Sequence, residues 1–219
     1  METIFFQVLG AFAFFINTLF IGLLIRRSPT KTNAERLSRV SHTLFWSGLV
    51  LPELIGVFHP GLIAFDGLLG LPSLPYPLAM QITGWPILLA GTYYLAMSNV
   101  ALKVKGSGFA SFKLTRRVVV QSVYERARNP MSLGFYLAYI GISLIAGSSY
   151  FLLGVLAVII PVHAFNLLYF EKRELLARYG SSYAEYMNRV PFILPIALSE
   201  DVLTYTSNNT QRGEENVNL

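Results

Sequence analysis

The chain has 219 residues, of which 53% are hydrophobic and only 13% charged, and its mean hydropathy is +0.51. A soluble domain of this length needs more charge to cover its surface, so the composition points to a membrane protein. The formal net charge of +5 is no argument for nucleic acid, because the basic residues flank apolar runs, where they set orientation; the absence of cysteine removes disulfides, thiol nucleophiles, Cys-ligated metals and lipidated cysteines.

Ile4–Ile25 contains no ionisable residue and, at about 1.5 Å per residue, spans about 33 Å as a helix. It reads as a retained first span: Met1-Glu2-Thr3 offers no positive region, and no small-residue cleavage site precedes Arg26-Arg27. Thr32-Asn33-Ala34-Glu35 has capping-box spacing and is expected to start the helix leading into a second span, Val40–His59. That span carries Glu53, an intramembrane carboxylate read equally as a functional group and as a protonated helix-packing residue. The connection 60–77 holds four prolines and three glycines and is expected to be helix-poor, interfacial or re-entrant.

The third span is Leu78–Leu102. Ser122-Val123-Tyr124-Glu125 repeats the capping spacing and predicts a short helix from 123 to about 128, stopped by Asn129-Pro130. Pro130 suits the first turn of the fourth span, Met131–Ala146, whose shortness tilt or local thinning accommodates. The connection 147–149 is so short that this span and the fifth, Tyr150–Phe170, form an antiparallel hairpin. Glu171–Tyr179 continues the last span, Gly180 stops it, and Ser182-Tyr183-Ala184-Glu185 opens a helix to about Arg189. Leu175, Tyr179, Tyr183, Tyr186 and Val190 form an apolar stripe on these pieces. The polar tail from Ser199 is expected to be disordered.

All 17 Lys and Arg residues fall in the connections between spans one and two, between spans three and four, or after span five. The positive-inside rule then places the N-terminus outside and the C-terminus in the cytoplasm. The expected architecture is an all-α polytopic membrane protein with about five transmembrane helices and C-terminal amphipathic helices. Its organisation is 1–77 (two spans and the outer connection), 78–198 (a core of three spans and the following segment) and 199–219 (the tail).

Motifs of soluble enzymes are absent: no Walker loop, no HExxH, no G-x-S-x-G, no dinucleotide G-x-G-x-x-G, and three dispersed histidines with no metal-ligand spacing. The hairpin, however, brings the start of span four (Arg128-Asn129-Pro130) beside the end of span five (Phe170-Glu171). Unpaired N–H groups of the fourth helix favour an anion there. A zwitterionic or cationic cofactor suits this arrangement, with its carboxylate toward Arg128 and its positive centre toward Glu171. An Arg–Glu pair that merely closes the hairpin is the other reading of the same residues.

Val119-Val120-Gln121-Ser122-Val123-Tyr124-Glu125-Arg126-Ala127-Arg128-Asn129-Pro130-Met131-Ser132-Leu133-Gly134 resembles the signature G-P-Y-R-x-x-R-[HN]-P-M-Y-x-G of the isoprenylcysteine carboxyl methyltransferase and phospholipid methyltransferase superfamily. Glu171, Leu175, Tyr179-Gly180, Tyr183, Tyr186 and Val190-Pro191 through Pro195 are similar to its second motif, and Gly106 and Gly108 to its short G-x-G stretch. The resemblance covers about residues 84 to 195. It implies an integral membrane methyltransferase that uses S-adenosylmethionine without a Rossmann fold. The cofactor is then held at the cytoplasmic boundary, and a hydrophobic or lipid-linked acceptor (an isoprenylcysteine carboxylate, a phospholipid amine or a small thiol) enters from the bilayer.

Carried over residue by residue, the resemblance implies cofactor binding by Tyr124, Arg128, Asn129, Pro130, Gly134, Glu171 and Tyr183, with Glu171 and Arg128 as the catalytic pair. The chain departs from the pattern at Ser122, Glu125, Ser132, Lys172 and Phe192. Lys172 replaces a second carboxylate, for which Glu174, one turn from Glu171, is a substitute. These departures keep a second reading open, a non-catalytic scaffold or lipid-binding protein that retains the fold. His163 and Asn166, one turn apart in span five, have two readings, a place facing the acceptor cavity and, the favoured one, hydrogen bonding between helices.

Overall fold

The computed structural model describes residues 2–105 and 118–194. Gly106, Gly108, Lys113, Arg116, Arg117, Pro195 and the tail from Ser199 lie outside the described residues. Every regular element among the described residues is helical, as the apolar runs require in a medium where backbone groups must be satisfied within each segment.

α1 (Glu2–Arg27) is joined by a tight connection to α2 (Lys31–Leu44). The cap of α2 is Thr30, whose side-chain oxygen accepts from the Asn33 N–H at 3.3 Å. The expected box at Thr32 is therefore displaced: Thr30 is extended (φ −90°, ψ 151°), whereas Thr32 already lies in the first turn. α2 runs through a π-helical turn, Phe45–Val50, into α3 (Leu51–Gly56). A kink follows at His59-Pro60, where His59 leaves helical geometry (φ −148°, ψ 115°).

Beyond the kink lies α4 (Leu62–Leu69), where a helix-poor connection was expected. Tertiary contacts explain it. Leu62, Phe65 and Asp66 are buried, and the Asp66 carboxylate accepts from the N–H groups of Ser149 (3.2 Å) and Tyr150 (2.6 Å). Asp66 thereby caps the first turn of a helix more than 80 residues away.

α5 (Pro77–Lys105) packs on α6 (Pro130–Ala146) along glycines spaced by seven, Gly84 and Gly91 on one helix and Gly134 and Gly141 on the other. A Cβ on Gly91 would lie 2.5 Å from the Ala138 nitrogen, and one on Gly134 would lie 2.7 Å from that of Leu95. The two backbones thus touch directly, as small residues allow between membrane helices. The predicted short helix before α6 is a single 3-10 turn, Ser122–Glu125. It begins at Ser122 with φ +60°, which explains why the family pattern has glycine at this place.

α7 (Ser149–Gly154), α8 (Ile160–Asn166) and α9 (Lys172–Tyr179) form one rod joined by π-helical turns at Val155–Ile159 and Leu167–Glu171. Gly180, with φ +57°, then turns the chain into α10 (Ser181–Arg189). The expected stripe is assembled here: Tyr183, Tyr186 and Val190 are buried together against Leu175 and Tyr179.

Among the described residues, four helical stretches are long and apolar enough to cross a bilayer: Glu2–Arg27, Lys31–Leu69, Pro77–Val104 and Ser149–Tyr179. The expected fourth span, α6, is apolar but only 17 residues long. Its reach of about 25 Å falls short of a core about 30 Å thick.

Candidate active site

A cavity of about 1290 Å³ opens between α2, α5, α6 and the α8–α9 rod. The rod presents one face to it, carrying His163, Asn166, Phe170, Glu171, Glu174 and Arg178 at helical spacing. The opposite walls bring Tyr124, Arg128, Asn129 and Ser132 from the second connection and α6, and Leu95 and Asn99 from α5. α2 and its π-helical turn contribute Ser38, His42, Phe45, Trp46 and Val50.

The start of α6, expected beside Phe170-Glu171, lines one cavity with them, but its hydrogen bonds run to the segment after α10. Arg128 and Asn129 donate their backbone N–H groups to the carbonyls of Pro191 (2.9 Å) and Phe192 (3.2 Å), and the Asn129 amide nitrogen donates to the same Phe192 carbonyl at 3.1 Å. The Tyr186 hydroxyl donates to the Tyr124 carbonyl at 2.8 Å. Arg128 lies over the Phe192 ring, 5.7 Å from its centroid. Phe192, a departure from the family pattern, thus becomes a platform for the motif arginine.

The charges at this end are arranged asymmetrically. Glu174, 1% exposed, forms an ion pair with Arg178 at 2.7 Å. Lys172 is exposed and off the cavity, whereas Glu174 lines it beside Glu171. Helix geometry decides this: position 174 lies one turn from 171 on the same face, and 172 points about 100° away. The pair Arg128–Glu171 does not close as a direct bridge; the Arg128 Nε is instead buried without a hydrogen-bond partner among the described residues. A buried, unsatisfied guanidinium nitrogen is costly, and its place in a cavity wall fits an anionic group of a ligand.

Burial, and after it the charge of Glu171, pushes the phenols of Tyr124 and Tyr183 above their ordinary range, with the Arg128 guanidinium opposing the shift at Tyr183. Both therefore stay protonated and serve as donors.

Of the residues expected to bind cofactor, Tyr124, Arg128, Asn129, Glu171, Glu174 and Tyr183 line one cavity. Pro130 and Gly134 do not. Pro130 starts α6 at its first position, and Gly134 is buried in the backbone contact with α5. Arg178 and the whole α2 wall were not anticipated. Arg178 had a legible signal, an i, i+4 relation to Glu174; the α2 wall had none, because apolar spacing does not say which helix a span faces.

His163 and Asn166 bond between helices as expected. Asn166 donates to the hydroxyls of Thr18 (2.9 Å) and Ser41 (3.1 Å), and His163 Nδ1 lies 3.1 Å from the Tyr136 hydroxyl. Glu53 accepts from Gln7 at 2.9 Å, and Gln7 in turn accepts from the Tyr150 hydroxyl at 2.6 Å. The Glu53 carboxylate therefore belongs to a helix-joining network away from the cavity.

Residues 79–182 match the phospholipid methyltransferase family. With the two motifs brought together in one cavity, this stretch is similar to the integral membrane methyltransferases of that family. The chain is also similar to methanethiol S-methyltransferase 2 of Bradyrhizobium diazoefficiens, 32% identical over 118 residues, which are 51% of this chain and 42% of that protein. The matched stretch thus spans less than half of that relative. No solved structure matches.

Proposed function

We propose that the protein transfers a methyl group from S-adenosylmethionine to a hydrophobic or lipid-linked acceptor at the cytoplasmic boundary of the membrane. The observation that carries this reading is the single cavity in which Arg128, with its buried unpartnered Nε, faces the same space as Glu171 and Glu174. The donor is a zwitterion, and the cavity offers both complements. Arg128 and the N–H groups opening α6 take a carboxylate, and Glu171 takes the ammonium. When bound, the cofactor supplies a methyl group activated on a sulfonium.

The protein's part is to hold the donor in line with the acceptor and to keep water out. Tyr124 and Tyr183, kept protonated, are placed to donate hydrogen bonds to the donor, and the backbone clamp between 128–129 and 191–192 holds Arg128 and Asn129 in place. The volume supports two occupants. About 1290 Å³ exceeds the roughly 300–1,000 Å³ of a pocket for one small molecule, and Phe45, Val50, Leu51, Leu54, Leu95 and Leu102 give it an apolar lining.

Equilibrium binding of S-adenosylhomocysteine to the detergent-solubilised protein tests the reading. Wild type is expected to bind, and Arg128→Ala and Glu171→Ala each to bind more weakly. Wild type that does not bind, or binding untouched by both substitutions, would favour the non-catalytic scaffold instead.

A further inference from the structure

His163 is the one histidine whose surroundings suit proton transfer inside the cavity. It is 8% exposed and stacks on Phe45 with centroids 4.5 Å apart. Its Nδ1 is engaged by the Tyr136 hydroxyl at 3.1 Å. Tyr136 lies off the cavity, whereas His163 lines it. A histidine fixed at one nitrogen by an oriented partner, with the ring at a cavity wall, has the arrangement of a general base. His42 also reaches the cavity, but its Nε2 accepts from the Trp46 indole at 3.1 Å. His59 sits at the kink after α3, off the cavity.

Position supports the same role. His163 and Glu171 share one face of the α8–α9 rod, eight residues or roughly 12 Å apart. The methionyl arm of a donor held at Glu171, together with a near-attack gap of about 3–3.5 Å, fits that interval and puts the acceptor atom beside the imidazole.

The surroundings also choose among acceptors. Around His163 the wall is Phe45, Phe135, Leu167 and Asn166, without a formal charge. A carboxylate acceptor is already anionic and needs no base, and an ammonium would bring a second cation beside the donor's sulfonium. A thiol enters neutral and becomes nucleophilic by losing one proton. Val50, Leu51, Leu54 and Leu102 extend the wall as an apolar lining, which suits an acceptor with a hydrophobic body.

We propose, resting on the methyl-transfer reading above, that the acceptor is a hydrophobic thiol and that His163 is the general base that deprotonates it, oriented by Tyr136. In this step His163 Nδ1–H donates to the Tyr136 oxygen, and Nε2 takes the thiol proton. The acceptor sulfur forms the new bond to the methyl carbon as the methyl–sulfonium bond breaks. The electron pair of that bond stays on the donor's sulfur, which becomes a neutral thioether, and the proton on His163 passes to water once the products leave.

The test uses two thiols of similar size on the full-length protein in detergent: benzyl mercaptan, protonated near neutral pH, and para-nitrothiophenol, which is ionised there. Wild type is expected to methylate both. His163→Gln is expected to lose about a hundredfold or more in kcat on benzyl mercaptan and less than about threefold on para-nitrothiophenol, because only the first needs a base. Tyr136→Phe is expected to show the same selectivity with a loss of about tenfold, and it carries the test if His163→Gln does not fold. Binding of S-adenosylhomocysteine, measured on each variant, is expected to stay at the wild-type level. Equal losses on both thiols, no loss on either, or a wild type that methylates neither while still binding S-adenosylhomocysteine would overturn the proposal. Loss of wild-type S-adenosylhomocysteine binding would instead overturn the methyl-transfer reading beneath it.

Discussion

The two sides of the cavity are built in opposite ways. On one side α5 and α6 meet backbone to backbone through Gly84, Gly91, Gly134 and Gly141. On the other, α2 meets the α8–α9 rod through side chains, Ala34 and Leu37 against Phe170 and Ser41 against Asn166, and the face toward the cavity carries Phe45, Trp46, His163 and a buried ion pair. Small residues make a wall that cannot shift without a clash, and large polar and aromatic residues make a wall that leaves room for ligands. The difference shows how one helical bundle combines a rigid support with a chamber. Packing is concentrated where the motif segment must be held, and forgone where molecules must enter.

The contrast can be broken from its tight side. Gly91→Val would drive a branched side chain into the α6 backbone, where a Cβ alone already lies 2.5 Å from the Ala138 nitrogen. Overpacking of this kind costs about 3 kcal/mol or more when the clashing atom is backbone, so loss of the folded protein on size exclusion or in a thermal-shift assay is expected. The chamber side answers to charge instead. Glu174→Ala removes the carboxylate paired with Arg178 at a site where both side chains are nearly sealed, and a destabilisation of about 3 kcal/mol is expected from thermal or denaturant unfolding.

Smaller effects sharpen the same division. Arg128→Ala is expected to weaken S-adenosylhomocysteine binding by about 10- to 100-fold, as for a lost charge-assisted hydrogen bond of about 1.5–3 kcal/mol, with little change in melting temperature. Ser122→Gly relieves a left-handed backbone position (φ +60°) and is expected to stabilise by about 1 kcal/mol. Lys172→Ala, exposed and off the cavity, is expected to stay within about 0.5 kcal/mol of wild type and to leave cofactor binding intact. A strong effect there would show that position 172, not 174, carries the site's second charge.

Much of this was legible in the chain. Runs such as Ile4–Ile25 must become helices in an apolar medium, and Asn129-Pro130 had to begin one, because proline lacks an N–H and sets φ. Motif spacing named Tyr124, Arg128, Asn129, Glu171 and Tyr183, and helical periodicity put Glu174 on the face of Glu171. Local patterns stopped there. α4 is held by Asp66 across more than 80 residues of chain, and the Thr30 cap turns on one backbone angle that a capping pattern cannot see.

What the sequence by itself determined was the helical class, the boundaries set by proline and glycine, and the membership of one acidic and one basic motif in a common site. Those follow from forces that act within a turn or two of chain. Only the tertiary structure decided that Gly134 serves packing, that Arg128 keeps a buried nitrogen unpaired while Glu174 takes Arg178, and that α2 supplies the wall facing His163. Each depends on which helix face meets which neighbour, and in an apolar medium hydrophobicity no longer marks the inward face. Close packing and the pairing of a few polar groups mark it instead.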